Sequence, residues 1–152
     1  RNALLPLIAG QGKAKPQTAK NSFSVITNYQ LAGPPFAESH QWIKRVSVGG
    51  SYRWSAARTI GYLGAAPDPD GQVRTLDKEK QVFGKPQKNL DLTFSYRMRL
   101  FRDKIGARFQ LNIRNATESG RLEGVSVNPD GTPFQYRIID PRQFIFTTTF
   151  DF

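Results

Sequence analysis

The chain has 152 residues, of which 38% are hydrophobic, and a formal net charge of +10. It contains no cysteine, which excludes disulfides, thiolate catalysis and zinc–cysteine sites. No segment reaches the roughly 18–20 consecutive apolar residues of a transmembrane helix. A membrane β-barrel remains compatible with the mean hydropathy of −0.50, because barrel strands alternate lipid-facing and lumen-facing residues.

Two segments in the first part of the chain show the period-two alternation of β-strands. A turn is predicted near residues 4–9, and no helix is expected beyond it. Residues 23–31 place Phe23, Val25, Thr27, Tyr29 and Leu31 on one face. Residues 42–54 form the second predicted strand, in which Lys44 interrupts the otherwise apolar face.

Three later segments alternate more strictly and predict three further strands, at residues 90–100, 105–115 and 143–152. Their apolar faces combine Leu, Ile, Phe, Tyr and Met, whereas Arg, Gln, Asn, Ser and Thr dominate the opposite faces. In the last strand the apolar face carries Phe144, Phe146, Phe150 and Phe152. β-Branched and aromatic residues fill this strand, as is typical of β-structure.

The connections between these strands alternate between short and long, at residues 32–41, 55–89, 101–104 and 116–142. The two long connections carry the turn formers Pro67-Asp68-Pro69-Asp70-Gly71 and Asn128-Pro129-Asp130-Gly131. Loops of this length are uncommon in compact soluble domains. Outer-membrane barrels, in contrast, combine short periplasmic turns with long extracellular loops.

We therefore predict an all-β fold, a fragment of an antiparallel transmembrane β-barrel with about five strands. The predicted strands have about ten residues, which is the length that spans a bilayer when tilted. Aromatic residues gather toward the strand ends, as an interfacial girdle requires. Since the smallest membrane barrels have about eight strands, we expect further strands upstream of this chain. The alternative is a soluble β-sandwich, which also gives each strand one apolar and one polar face.

Several motifs resemble the C-terminal barrel segment of TonB-dependent outer-membrane receptors. Residues 109–115 are similar to the penultimate strand of that family, with its Leu-Asn-Val-x-Asn core. Pro141-Arg142, followed by alternating Phe and Thr up to Phe152, is similar to the last strand. Asn28-Tyr29 and residues 48–53 resemble the two preceding strands. The resemblance covers residues 21–152 and departs from the family at Ala116-Thr117-Glu118, where Leu-Phe-Asp is usual.

The resemblance implies that residues 1–152 are the C-terminal part of such a barrel, with an extracellular loop at 1–20, the last strands at 21–152 and no plug domain. It implies uptake of a scarce nutrient (a siderophore, cobalamin, haem or a glycan) across the cell outer membrane of a Gram-negative-type bacterium. The implied partners are outer-membrane lipid and lipopolysaccharide, the upstream strands and plug, the TonB complex acting through the absent N-terminal part, and the barrel-assembly machinery. That machinery is expected to recognise the aromatic residues of the last strand as an assembly signal. A porin-like barrel and a soluble secreted β-sandwich binding module are the alternatives.

Five arginines fall on the predicted lumen face: Arg53, Arg97, Arg99, Arg108 and Arg114. We interpret them as partners of plug carboxylates or of wall carboxylates such as Asp91 and Asp151, in preference to direct ligand contacts. They are spread over several strands, and the aromatic residues lie on the opposite face. This arrangement offers no stacking platform for bases, so no nucleic-acid partner is predicted despite the basic charge.

Few residues indicate chemistry. Tyr62, near the start of the longest connection, is either an extracellular ligand contact or, as we favour, a residue that packs on a neighbouring strand. Asp68-Pro69-Asp70-Gly71 resembles the start of a calcium loop. The residue at the twelfth position, Glu79, lies at the end of an irregular Lys-rich stretch, so a plain turn is predicted. His40 is the only histidine, and no nucleophile is paired with a base. We predict no catalytic site, no metal site and no cofactor.

Overall fold

The computed structural model describes residues 12, 15–32, 42–102 and 104–152. Over these residues the chain is all-β, with antiparallel sheets, as the alternating patterns predict. The expected turn at residues 4–9, most of the 1–20 loop and of the 32–41 connection, and His40 lie outside the described residues. No helix in the described ranges is long and apolar enough to cross a membrane.

The strands of the described ranges form one five-stranded sheet and two separate hairpins. In chain order they are β1 (Ser22–Gln30), β2 (Val46–Ser55), β3 (Thr59–Gly64), β4 (Leu76–Phe83), β5 (Gln87–Leu100), β6 (Ile105–Arg114), β7 (Arg121–Val127), β8 (Pro133–Ile139) and β9 (Gln143–Asp151).

The five-stranded sheet contains the five strands that the sequence predicts. Its order is β1-β2-β5-β6-β9, so the strands follow one another as in a meander, apart from the hairpins inserted between them in the chain. The sheet is open, with β1 and β9 at its edges. The turn between β5 and β6 is short, as expected, and the two strands pair from Leu92↔Ile113 to Leu100↔Ile105.

The ends of the predicted strands shift by a few residues for local reasons. The second strand begins at Val46 rather than at residue 42, because Ile43–Arg45 form a short 3-10 helix at the point where Lys44 breaks the alternation. β6 ends at Arg114, and Asn115 follows with a positive φ of 50°. Asn tolerates this left-handed conformation better than most residues, which allows the chain to leave the strand there.

Each of the two long connections contains a β-hairpin, which corrects the prediction of loops at residues 55–89 and 116–142. β3 pairs with β4, and β7 pairs with β8. Both pairings contain register shifts, for example between Gly124 and Ser126. A β-bulge shifts the side-chain alternation by one residue, so the period-two pattern that identifies the other strands is interrupted here.

The chain divides into two compact units, which we describe separately. One comprises Phe23–Trp54, Lys88–Gly120 and Asp140–Phe152, which form the five-stranded sheet. The other comprises Arg1–Ser22, Ser55–Gln87 and Arg121–Ile139, and contains both hairpins. Within this second unit the Gly64 N–H donates to the Pro129 carbonyl at 2.7 Å, and the Gln17 N–H donates to the carbonyl of the buried Thr59 at 2.8 Å.

The five-stranded sheet has almost no hydrophobic core. Among the described residues of the whole chain, Tyr62 and Ala107 are the only buried hydrophobic side chains. Ala107 belongs to β6 of the sheet, and the edge strands β1 and β9 are exposed along their entire length. A soluble β-sandwich would bury one face of each strand against a second sheet, whereas every residue of β1 and β9 is exposed.

Candidate functional site

The five-stranded sheet has an apolar face built from cross-strand pairs of large side chains. In an antiparallel sheet, residues directly opposite one another lie on the same face. Leu111 of β6 is paired with Phe94 of β5 and with Phe146 of β9, and Ile113 is paired with Leu92 and Phe144. Phe109 and Phe146 stack with ring centroids 6.4 Å apart. The two faces predicted from alternation are thus the faces that the register brings together in β5, β6 and β9.

The last strand presents its aromatic side chains to the surroundings rather than to the chain itself. Phe144 and Phe146 are 65% and 67% exposed, Phe150 is exposed as well, and Phe152 is 98% exposed. Arg142 lies over the Phe144 ring, 5.8 Å from its centroid. The role of these four phenylalanines as an assembly signal stays a prediction.

Aromatic residues also cluster on β1 and β2. The Phe23 ring stacks on Trp54 at 5.6 Å and lies 5.8 Å from Tyr52 at a tilted angle. Phe23 and Trp54 lie near the ends of their strands, where the sequence analysis expects the aromatic residues of an interfacial girdle. Their contact shows that the predicted apolar faces of β1 and β2 are the same face of the sheet at this point.

The opposite face is polar and hydrogen-bonded. Asn112 Oδ1 accepts a bond from Thr93 Oγ1 at 3.0 Å and another from Gln110 Nε2 at 2.9 Å. Thr93 and Asn112 are directly paired across β5 and β6. These three side chains form a ladder of the kind that suits a hydrated surface, because each retains further donor or acceptor capacity for water.

Asp91 connects three parts of this polar face. Its Oδ2 accepts from Arg53 Nη2 at 2.7 Å and from Ser51 Oγ at 3.3 Å. Its Oδ1 accepts the N–H of Asn115 at 3.0 Å. Asp91 therefore joins β2, β5 and the residue that follows β6. Arg53 has the wall-carboxylate partner considered in the sequence analysis.

The other four predicted lumen arginines lie on the polar face without an ion pair to a described residue. Arg97 is directly opposite Arg108, Arg99 is opposite Gly106, and Arg114 is opposite Gln143. Asp151, the second wall carboxylate expected to pair with them, is also opposite Gly106. Among the described side chains, the expected pairing of these arginines with Asp151 does not form.

Two depressions lie on this sheet. A groove of about 370 Å³ is lined largely by small polar side chains, including Asn28, Ser47, Ser51, Thr93, Ser95 and Gln110. Ile26 of β1 also lines it and is 78% exposed, an apolar side chain on a polar face. A second cavity of about 610 Å³ lies at the end of the sheet near the β5–β6 turn and shares Arg97 and Arg108 with the groove.

The candidate residues of the hairpin unit are occupied by local contacts. Tyr62 is only 5% exposed, and Lys78 Nζ lies 4.5 Å from its ring centroid. This burial supports packing over ligand contact. Arg74 forms ion pairs with both Asp68 and Asp70, and the Gly71 N–H closes the turn on the Asp68 carbonyl at 2.7 Å. Within the described residues, no group of three or more His, Asp or Glu side chains is placed to hold a metal ion.

Asn115 is a structural residue that alternation does not identify. Besides its bond to Asp91, its side chain accepts from Asn89 Nδ2 at 2.9 Å and donates to the Asp140 carbonyl at 3.3 Å. It thus connects the start of β5, the end of β6 and the segment that leads into β9. The sequence indicates this role through the Asn that ends the motif of residues 109–115, because Asn is enriched at positive φ.

No protein-family model, curated protein or solved structure matches this chain.

Proposed function

We propose that this chain is part of the wall of an outer-membrane β-barrel. The observation that carries the proposal is the exposed apolar face of a sheet whose other face is polar and hydrogen-bonded. Contiguous exposed apolar surface of this kind marks a membrane or protein contact. Strands of nine to fourteen residues are long enough to span the hydrocarbon core of a bilayer when tilted.

The open edges support a barrel that continues beyond these strands. Within the described part of the chain, β1 and β9 each have one neighbour in the sheet. In hydrocarbon, every unpaired backbone N–H or C=O costs several kcal/mol. In the proposed barrel, further strands of the same protein pair with both edges and close the wall.

The finer proposal is a TonB-dependent receptor, and the motif resemblance in residues 21–152 supports it. In this proposal the intact protein takes up a scarce nutrient across the outer membrane, and an upstream plug and TonB contact control entry. A porin-like barrel is the competing membrane hypothesis. The residues that precede this chain in the full-length protein discriminate the two. A plug segment with a TonB-contacting box supports the receptor, whereas alternating strands that run back to the signal peptide support a porin.

A pair of cysteine variants tests the membrane proposal directly, because the chain has no native cysteine. Leu111→Cys lies on the apolar face and Gln110→Cys on the polar face of the same strand. Each variant of the intact protein is labelled with an environment-sensitive fluorophore in vesicles. We expect brominated lipid to quench the label at position 111, and aqueous iodide to quench the label at position 110.

Equal quenching of both labels by iodide would contradict the proposal. So would a monodisperse, cooperatively folding monomer of residues 1–152 in the absence of detergent, because that is the behaviour of a soluble sandwich. We expect this isolated segment to aggregate in water, since both edges of its sheet remain available for intermolecular pairing.

A further inference from the structure

The cavity near the β5–β6 turn has a strong excess of positive charge. The side chains of Arg45, Arg97, Arg99, Lys104 and Arg108 line it, together with one described carboxylate side chain, that of Asp151. Its volume of about 610 Å³ lies in the range of small-molecule sites. Arg53, which does not line this cavity, is paired with Asp91.

The arrangement of Arg97 and Arg108 is unfavourable unless an anion is close. The two residues are directly opposite one another on β5 and β6, and like charges at directly opposite positions destabilise a sheet. Neither has a carboxylate partner among the described residues. An anion placed between the two guanidinium groups replaces their repulsion with two attractive contacts.

The side-chain types favour an oxyanion. The guanidinium group of arginine presents a planar fork of donors that matches carboxylate and phosphate oxygens, often in bidentate pairs. Four of the five cationic side chains of the cavity are arginines. Directly opposite side chains in a sheet have Cβ atoms about 5 Å apart, so the Arg97–Arg108 pair suits a ligand with two oxyanion groups close together.

We propose that this cavity is a binding site for a small multivalent oxyanion, of the diphosphate or polycarboxylate class. The site is formed by Arg97, Arg99 and Arg108, with Arg45 and Lys104 at its margin. Gly106, opposite both Arg99 and Asp151, contributes no side chain to the cavity, and the Asp151 carboxylate lies next to it. The inference does not rest on the membrane proposal, because the cavity is formed by the five-stranded sheet, the β5–β6 turn and the short 3-10 helix before β2.

Protection from chemical modification tests this site in the intact protein. Phenylglyoxal modifies arginine, and mass spectrometry reports the modification rate of each one. At a pyrophosphate concentration ten times its dissociation constant, we expect the modification of Arg97, Arg99 and Arg108 to slow by roughly ten-fold. Arg114 is the internal control, because it lies on the same face of β6 as Arg108 but does not line the cavity.

Variants give a second measurement by titration calorimetry with pyrophosphate. Arg97→Gln and Arg108→Gln should each weaken binding by about ten-fold or more, because each removes charge-assisted hydrogen bonds. Arg114→Gln should leave the affinity unchanged. Tricarboxylate in place of pyrophosphate shows which of the two oxyanion classes binds more tightly.

Three results would overturn the proposal. Equal protection of Arg114, or equal protection by chloride at matched ionic strength, would show that the cations are only screened. Slow modification of Arg97, Arg99 and Arg108 without any added anion, and no change on its addition, would show that carboxylates of the protein itself fill the cavity.

Discussion

Replacing Phe146 by arginine separates a lipid-facing sheet face from a water-facing one. Phe146 lies near the middle of β9, is 67% exposed, and stacks on Phe109. In a bilayer, an arginine on the lipid face near the midplane costs about 2–4 kcal/mol. The lost ring pair adds about 0.5–1.5 kcal/mol. The expected destabilisation is therefore about 3–5 kcal/mol.

In water the same substitution costs much less. Two thirds of the Phe146 side chain would already be hydrated, so little more than the ring pair is lost, about 1 kcal/mol. The assay is urea-induced unfolding of the intact protein in lipid vesicles, followed by tryptophan fluorescence. Two control variants separate the contributions. Thr147→Arg places the charge at the same depth on the polar face and should change stability by less than about 0.5 kcal/mol. Phe146→Leu removes only the ring pair.

The reasoning is refuted if Phe146→Arg and Thr147→Arg lower the free energy of unfolding by amounts that differ by less than about 1 kcal/mol. That outcome would place both faces of β9 in similar surroundings. Refolding the variants at several lipid chain lengths adds a further check, because the cost of a charge on the lipid face depends on its depth in the bilayer.

Four other predictions have defined outcomes. Asp91→Ala leaves the Asn115 N–H without its acceptor and should destabilise the protein by about 1–3 kcal/mol. Arg53→Gln removes a largely exposed ion pair and should cost at most about 1 kcal/mol. Urea unfolding of both variants checks that Asp91→Ala is the more destabilising. Gly61→Ala places a Cβ 2.6 Å from Val127 Cγ2 and should cost about 1–3 kcal/mol by overpacking. Val127→Ala in the same chain should restore part of that loss in a double-mutant cycle, measured by hydrogen exchange of the hairpin amides. Hydrogen bonds from the hydroxyl and the amide of Thr132 hold the pKa of Asp130 below its ordinary value. The ionised carboxylate therefore stabilises the β7–β8 turn fully at any pH above the ordinary pKa of Asp. This stabilisation is lost as the pH falls through the lowered pKa. An NMR titration of the Thr132 amide should show this transition, and Asp130→Asn should abolish it. Deletion of Phe152 removes almost no packing, because its side chain is 98% exposed. If the aromatic residues of the last strand are an assembly signal, the deletion should nevertheless lower the amount of the protein in the outer membrane on quantitative immunoblots. A normal amount would contradict that role.

The five strands of the sheet could be predicted because each alternates over about ten residues, apart from Lys44 near the start of the second predicted strand. In β5 and β6 the register preserves that alternation from Leu92↔Ile113 to Leu100↔Ile105. A shift of one residue would place Leu111 opposite Thr93 or Ser95 of β5, so the apolar face itself determines the register. The strand order then follows from the short β5–β6 turn and from the sequence order of the remaining strands.

The hairpins β3–β4 and β7–β8 could not be predicted in the same way. Lys78, Glu79 and Lys80 follow one another in β4 and give it no apolar face to recognise. In β7 the register shift after Gly124 moves the following residues to the other face. Tertiary contacts stabilise these strands instead, among them the hydrogen bond from Gly64 to Pro129 between the two hairpins, and such contacts leave no periodic trace in the sequence.

The candidate site was predictable only in part for a related reason. Alternation assigns Arg97, Arg99 and Arg108 to the polar face, which the register of β5 and β6 confirms. Which carboxylate reaches which arginine depends on pairing across strands. Asp91 reaches Arg53, whereas Asp151 forms no ion pair with Arg99 among the described side chains. The spacing of residues along a single strand carries no information about these distances.

The average composition of this chain hides the property that matters for its function. A mean hydropathy of −0.50 and a net charge of +10 describe a basic, water-compatible protein when all residues are pooled. The sheet separates these properties in space: Leu111, Phe94 and Phe146 meet on one face, while Arg97 and Arg108 meet on the other. A barrel wall requires this separation, because lipid contacts only one face and the aqueous lumen only the other. The same separation concentrates cations that would otherwise be dispersed. The exposed apolar face, for which we propose contact with lipid, and the basic cavity, which we propose as an oxyanion site, are therefore two consequences of one alternating pattern.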